Sequence, residues 1–177
     1  LNNLLIYCLT PKQNIFILGP SGVGKSHLAQ AFGHEACRKG VDVLFYNTHQ
    51  LFEWIHSGKG DGSHQKRLAQ VIKVPLLILD DFGLQTLAEG QQEDLYHLIA
   101  QRYEKAATVI TSNRDFDEWP AIFANQLLGT AALLRVARPG VAHGHAAAGG
   151  RGREERRRAR RGGLGDGNFA PAAKLGI

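Results

Sequence analysis

The first residues that could do chemistry form a glycine-rich loop. Residues 19–26 read GPSGVGKS, which matches the G-x-x-x-x-G-K-[ST] spacing of a phosphate-binding loop at every position. Its glycines permit backbone conformations that turn successive N–H groups towards phosphate oxygens. We expect Lys25 to neutralise the β- and γ-phosphates of a nucleotide and the Ser26 hydroxyl to bind Mg²⁺. The predicted nucleotide-binding residues are Gly19, Pro20, Ser21, Gly22, Val23, Gly24, Lys25, Ser26 and His27.

The second group is a pair of acidic residues that ends the apolar run LLILDD at residues 76–81. The run predicts a buried strand, and open parallel sheets collect their ligands at the carboxyl ends of such strands. We expect Asp80 to hold Mg²⁺ through water, and Asp81 to orient or deprotonate the attacking water. The alternative is a pair of solvated turn acids. Adjacent carboxylates repel each other without a cation, which favours the metal site.

The third group is a single amide. Asn113 ends the run VITSN at residues 109–113, the end of another predicted strand. Its side chain could hydrogen-bond the attacking water or the γ-phosphate. A polar residue at the end of a strand is common, so the assignment depends on the presence of the other two groups in the expected order.

Strands and helices alternate along the chain, as they must to bring these groups together. Strands separated by helices indicate crossover connections and a parallel sheet, so the predicted fold class is α/β, a three-layer P-loop NTPase fold. Residues 58–64, GKGDGSH, are predicted to be a flexible connection after a helix that Gly58 ends. The predicted strands are Asn14–Gly19, Val41–Asn47, Val74–Gly83 and Ala107–Asn113, and the predicted helices are Ser26–Lys39, 49–58, 64–73 and Gln91–Tyr103.

Charge divides the chain into two unequal parts. The net charge of +5 combines −2 over residues 1–129 with +7 over residues 130–177. The second part is rich in Ala, Gly and Arg and has one aromatic residue, so we expect a disordered basic tail after a boundary near residues 130–138. Two cysteines and no long apolar run are typical of a cytoplasmic protein without a disulfide framework or a membrane span.

Three stretches together resemble the IstB-like insertion-sequence helper ATPases, relatives of the DnaC-type helicase loaders in the AAA+ superfamily. They are residues 14–47, LLILDDFGL at 76–84 and RYEKAATVITSNRDFDEWPAIFAN at 102–125, and the resemblance covers roughly residues 12–135. It implies that residues 19–26 are Walker A, that Asp80 and Asp81 are Walker B, and that Asn113 is sensor 1. It also implies an ATP-dependent homo-oligomer on DNA that assists a transposase.

The resemblance also implies parts that this sequence lacks. Family members have a segment before the core and, after it, a motif like Asp-Arg-Leu with a final strand. Arg135 stands where that motif's arginine would be, as a candidate arginine finger, but Leu134 replaces the aspartate. We therefore predict an AAA+ core at residues 1–135 that is truncated at both ends. For the tail at 136–177 the hypothesis is a segment read out of frame after a frameshift near residues 126–138, and the alternative is a genuine basic tail. In the strand order 5-1-4-3-2 that the family implies, the strand before the phosphate loop would then be an edge strand.

Three functions follow as hypotheses. The first is an ATPase that assists a transposase, with Mg²⁺ and ATP as cofactors, non-specific DNA binding and low hydrolytic activity in this chain. The second is a replication helicase loader, which has the same core and a helicase as its partner. The third is a non-functional fragment of a mobile-element gene. Seven arginines at 151–161 would attract DNA in a salt-dependent manner under any of these hypotheses.

Overall fold

The computed structural model describes residues 12–123 and 142–145, which belong to a unit that extends from Leu1 to Ala146. A second unit, Ala147–Ile177, lies outside the described residues, as does most of the predicted tail. In chain order the elements are β1 Ile15–Leu18, α1 Lys25–Arg38, β2 Val43–Asn47, α2 Thr48–Asp61, α3 His64–Lys73, β3 Leu76–Asp80, α4 Glu89–Arg102, β4 Ala107–Ser112, a 3₁₀-helix Phe116–Ile122 and β5 Ala142–His145.

The five strands form one sheet in the order β2-β3-β4-β1-β5, and every neighbouring pair is parallel. Strands β1, β3 and β4 are buried along their whole length, as expected for apolar runs that helices cover on both faces. The α/β fold with a parallel sheet is therefore confirmed.

Alternate residues of the strands build the cores on the two faces of the sheet. One core joins β1 and β3 to α1 through residues such as Ile17, Phe32 and Ile78. The other joins the opposite face to α2, α3, α4 and the 3₁₀-helix, and includes Phe16, Leu79 and others. Because α1 starts directly after the phosphate loop, its packing against the sheet fixes the loop over the carboxyl ends of the strands.

The expectation that β1 is an edge strand is wrong. Ala142–His145 pairs in parallel with β1, with Ile15 opposite Ala142 and Leu18 opposite His145. An edge strand leaves a row of N–H and C=O groups unpaired, and another backbone can satisfy them whatever side chains it carries. The strand lies within residues 136–177, which the sequence assigns to a tail.

The helix predicted to stop at Gly58 continues to Asp61, so residues 58–61 of the predicted flexible connection are helical. Gly58 is buried and serves a different purpose there. A Cβ at this position would lie 2.7 Å from the backbone nitrogen of His64. The missing side chain therefore lets α2 and α3 approach closely, and does not end the helix.

Candidate functional site

A cleft of about 320 Å³ lies at the carboxyl ends of the strands. It brings Asp81 and Asn113, from the ends of β3 and β4, to the phosphate loop. Leu84 contributes an exposed apolar wall. The loop residues that line the cleft are Ser21, Gly22, Gly24, Lys25, Ser26 and His27. Most of the predicted site is therefore assembled in one place, while the chemical roles assigned to its residues stay predictions.

The phosphate loop has the backbone shape that its glycines allow. Gly22 and Gly24 have φ values of +82° and +93°, and a Cβ at either would meet no atom within 4 Å. The space above these glycines is thus open to a ligand. The Lys25 side chain is largely buried, and its Nζ donates to the Pro20 carbonyl at 3.0 Å. This hydrogen bond holds the ammonium group inside the curve of the loop.

The two acidic residues are in different environments. Asp80 ends β3 and is 8 % exposed. Asp81 follows with φ +56°, a left-handed conformation that directs its side chain into the cleft. Burial and the neighbouring Asp80 carboxylate raise the pKa of Asp81, and Lys25 partly offsets this.

This donor set fits Mg²⁺. Carboxylates and a hydroxyl are the hard oxygen ligands that Mg²⁺ prefers. Ser26 lines the cleft, and Asp80, which does not line it, ends β3 directly before Asp81. The pKa of Asp81 is raised first by burial and second by the Asp80 carboxylate, and a bound dication would relieve the repulsion between the two carboxylates. No group of three His, Cys, Asp or Glu side chains forms a metal site by itself within residues 12–123. A metal bound here would therefore need the Ser26 hydroxyl and a phosphate oxygen as ligands in addition to a carboxylate.

Two side chains that hydrogen-bond the carboxylates of the acidic pair were missed in the sequence. The Thr111 hydroxyl donates to Asp80 Oδ1 and accepts from the backbone N–H of Asp81 at 3.0 Å. The Asn47 side chain caps α2, and its Nδ2 lies 3.5 Å from Asp81 Oδ2. A signal for both was available, because each is a polar residue at the carboxyl end of an apolar strand, like Asn113.

The residues around Asn113 fix the turn that follows Asp81. The Ser112 hydroxyl donates to the Phe82 carbonyl at 2.7 Å, and Arg114 Nε donates to the Gly83 carbonyl at 2.8 Å. Asn113 itself is exposed and lines the cleft. Arg135, the candidate arginine finger, lies outside the described residues.

Comparisons with known proteins concern the family and the fold of this chain. The family profile described as IstB-like ATP binding protein matches residues 5–151, a range that includes β5 and extends beyond residue 135, where we placed the end of the resemblance. A protein of insertion sequence IS5376 from Geobacillus stearothermophilus, named for ATP binding, is 38 % identical over 71 % of this chain and 50 % of its own length. A protein of insertion sequence IS21 from Pseudomonas aeruginosa, named in the same way, is 36 % identical over 70 % of this chain and 47 % of its own length.

The chain thus spans about half the length of these curated relatives. Solved structures show the same fold. The DnaC helicase loader has a TM-score of 0.64 at 24 % identity, over 81 % of this chain and 86 % of that one. DnaI has a TM-score of 0.70 at 20 % identity, over 81 % of each chain. No helix within the described residues is long and apolar enough to cross a membrane. With a profile that covers most of its length, the chain belongs to the IstB-like ATP binding protein family.

Proposed function

We propose that this chain binds Mg-ATP in the cleft and hydrolyses it, as the ATPase core of an insertion-sequence helper protein. The observation that carries the proposal is the joint lining of one cleft by the phosphate loop, Asp81 and Asn113. Nucleotide hydrolysis needs a cradle for the phosphates, a group that activates water and a polar group near the γ-phosphate. We assign these three requirements to the phosphate loop, Asp81 and Asn113, in that order.

Each residue then has a specific task. Lys25 pairs with the phosphates, and the backbone N–H groups of the loop and of the first turn of α1 bind their oxygens. Ser26 and Asp80 would hold Mg²⁺, which neutralises phosphate charge when bound. Asp81 accepts the proton of the attacking water. Asn113 orients that water or the γ-phosphate.

The biological role is proposed from the relatives. Proteins that are 34–43 % identical over the matched residues belong to insertion sequences by name, which favours transposition as the process. We propose a transposase as the partner, and DNA as a surface bound without sequence preference. A replicative helicase is the alternative partner, and co-purification with one or the other distinguishes the two. A non-functional fragment is the third possibility, and it predicts no nucleotide binding.

We further propose that the active form is a homo-oligomer in which a neighbouring subunit completes the site with Arg135. An arginine that reaches the γ-phosphate from another subunit can raise the rate about 10³–10⁵-fold. This chain alone should therefore bind ATP well and hydrolyse it slowly.

The loop is tested by replacing Lys25. Lys25→Ala removes the cation that pairs with the phosphates, so we expect Mg-ATP affinity to fall at least about tenfold, or about 1.4 kcal/mol. Lys39→Ala, at the exposed opposite end of α1, is the matched control and should bind like the parent. Titration of a fluorescent ATP analogue measures both. Equal affinity of the parent and Lys25→Ala would refute nucleotide binding by this loop.

Hydrolysis is tested separately at Asp81. Asparagine tolerates the left-handed backbone of this position, so Asp81→Asn changes the charge without adding strain. We expect nucleotide affinity to stay within about threefold and phosphate release to fall to the level of Lys25→Ala. Asp117→Asn, on the exposed side of the 3₁₀-helix, controls for the loss of one negative charge. If Asp81→Asn hydrolyses ATP at the parent rate, another group activates the water.

A further inference from the structure

One buried hydroxyl contacts both acidic residues of the site. Thr111 is fully buried near the end of β4, beside the end of β3. It lies two residues after Val109, which packs in the core with α1, so its side chain is on the sheet face that α1 covers. The phosphate loop leads into α1 on that same face.

The two hydrogen bonds of Thr111 determine which group its hydroxyl donates to and which group it accepts from. A hydroxyl has one hydrogen to donate, and here Asp80 Oδ1 accepts it. The Thr111 oxygen accepts the backbone N–H of Asp81 at 3.0 Å, so the proton of Thr111 cannot also point there. The carboxylate of Asp80 is therefore held by one oxygen, and Oδ2 is left for a second interaction.

The second hydrogen bond supports an unusual backbone. Asp81 is a non-glycine residue with φ +56°, a left-handed conformation that residues with a side chain keep only where their surroundings hold it. Two residues that follow Thr111 hold the next part of the turn. The Ser112 hydroxyl donates to the Phe82 carbonyl, and Arg114 Nε donates to the Gly83 carbonyl. The residues at the end of β4 thus hold the turn after β3, and among Thr111, Ser112 and Arg114 it is Thr111 whose side chain contacts the acidic pair.

We propose that Thr111 is a positioning residue that holds Asp80 for a divalent cation and Asp81 for the attacking water. The proposal rests on the proposed nucleotide site. Thr111 is fully buried and does not line the cleft, so it acts by fixing the carboxylate of Asp80 and the main chain of Asp81. Its hydroxyl, not its methyl group, does this.

The experiment compares Thr111→Val, which keeps the shape and loses the hydroxyl, with Thr111→Ser, which keeps the hydroxyl. Thr108→Val is the matched control, because Thr108 lies on the same strand and its buried hydroxyl accepts from Arg102 Nε at 3.1 Å, on the other face of the sheet. The readouts are the Mn²⁺ concentration that gives half-maximal binding of the fluorescent analogue mant-AMPPNP, steady-state ATP hydrolysis and the thermal unfolding midpoint.

We expect Thr111→Val to raise the required Mn²⁺ concentration at least fivefold and to lower kcat at least tenfold. Thr111→Ser should stay within threefold of the parent in both. Thr108→Val should lower the unfolding midpoint and leave Mn²⁺ dependence and kcat within twofold of the parent. A purely structural role for Thr111 predicts instead that the two valine variants behave alike.

Three results would overturn the proposal. They are parent-like Mn²⁺ dependence in Thr111→Val, equal defects in Thr111→Val and Thr111→Ser, and nucleotide binding by the parent that does not depend on Mn²⁺. If Thr111→Val does not fold, Thr111→Ala and Thr111→Ser decide, because both lose the methyl group and only serine keeps the hydroxyl. Failure of the nucleotide site itself is recognised separately, since the parent and Lys25→Ala would then bind mant-AMPPNP equally.

Discussion

Arg102 is the side chain whose removal should destabilise the fold most clearly. It ends α4 with 3 % of its surface exposed. Its Nη1 lies 3.0, 3.1 and 2.7 Å from the carbonyl oxygens of Val71, Ile72 and Val74, which share its two N–H groups, and its Nη2 donates to the carbonyl of Ala107. Burial lowers its pKa to about 10, so the guanidinium is protonated at neutral pH and all its donors are present.

The magnitude for Arg102→Leu follows from these four carbonyls. They belong to the end of α3, the connection to β3 and the start of β4, and the substitution leaves them without this donor. At about 1 kcal/mol for each unsatisfied group the loss is about 4 kcal/mol. Removal of a buried cation returns part of it, because the charge no longer has to be desolvated. We expect a net loss of about 2–4 kcal/mol and a fall in Tm of about 5–15 °C.

Urea unfolding followed by circular dichroism measures this loss. The matched control is Arg38→Leu, whose side chain is 81 % exposed and lies 3.7 Å from Glu35. A surface ion pair of this kind contributes little, so the control should stay within about 0.5 kcal/mol of the parent. If Arg102→Leu and Arg38→Leu have the same free energy of unfolding, the carbonyls find other partners and the reasoning is wrong.

Two further predictions concern the turn after β3 and the start of α2. Gly83 has φ +77° and its Cβ would overlap Ile122 Cδ1, whereas Gly40 has the same φ with nothing within 4 Å. Gly83→Ala should therefore cost about 2–4 kcal/mol in denaturant unfolding and Gly40→Ala about 1–2, and equal costs would rule out the overlap. Asn47→Ala should cost about 1 kcal/mol because α2 loses its cap. Asn47→Asp should keep the cap but slow ATP hydrolysis through repulsion of Asp81, and an unchanged rate would contradict this.

The parts of the fold that could be predicted are those with a local signal. The phosphate loop and the apolar strand before Asp80 each follow from a pattern within a few residues. The role of Gly58 was predicted wrongly because the sequence does not distinguish a glycine that ends a helix from one that lets two helices approach closely. Only the distance to the backbone of His64, which depends on how α2 packs on α3, distinguishes these roles.

In the candidate site, too, residues with a local sequence signal could be predicted and residues joined by long-range contacts could not. Lys25, Asp81 and Asn113, which line one cleft, could be predicted because their motifs are contiguous and ordered. The contacts of Thr111 with Asp80 and of Asn47 with Asp81 join residues that are 31 and 34 positions apart. Such pairs can be recognised as neighbours only when the order and register of the strands are known. Strand order was available from the family resemblance, but the register between β3 and β4 was not.

The pairing of Ala142–His145 with β1 has a consequence for how this fold can change over time. The segment reads AHGH, which contains none of the β-branched or aromatic residues that favour strands. Its place beside β1 is defined by main-chain groups, and every polypeptide carries these. A gene that drifts, or that is read in another frame beyond the core, still produces a backbone that can fill this place. The amino-acid sequence of the last strand can thus change while the main-chain groups of β1, the strand that leads into the phosphate loop, keep a hydrogen-bonding partner.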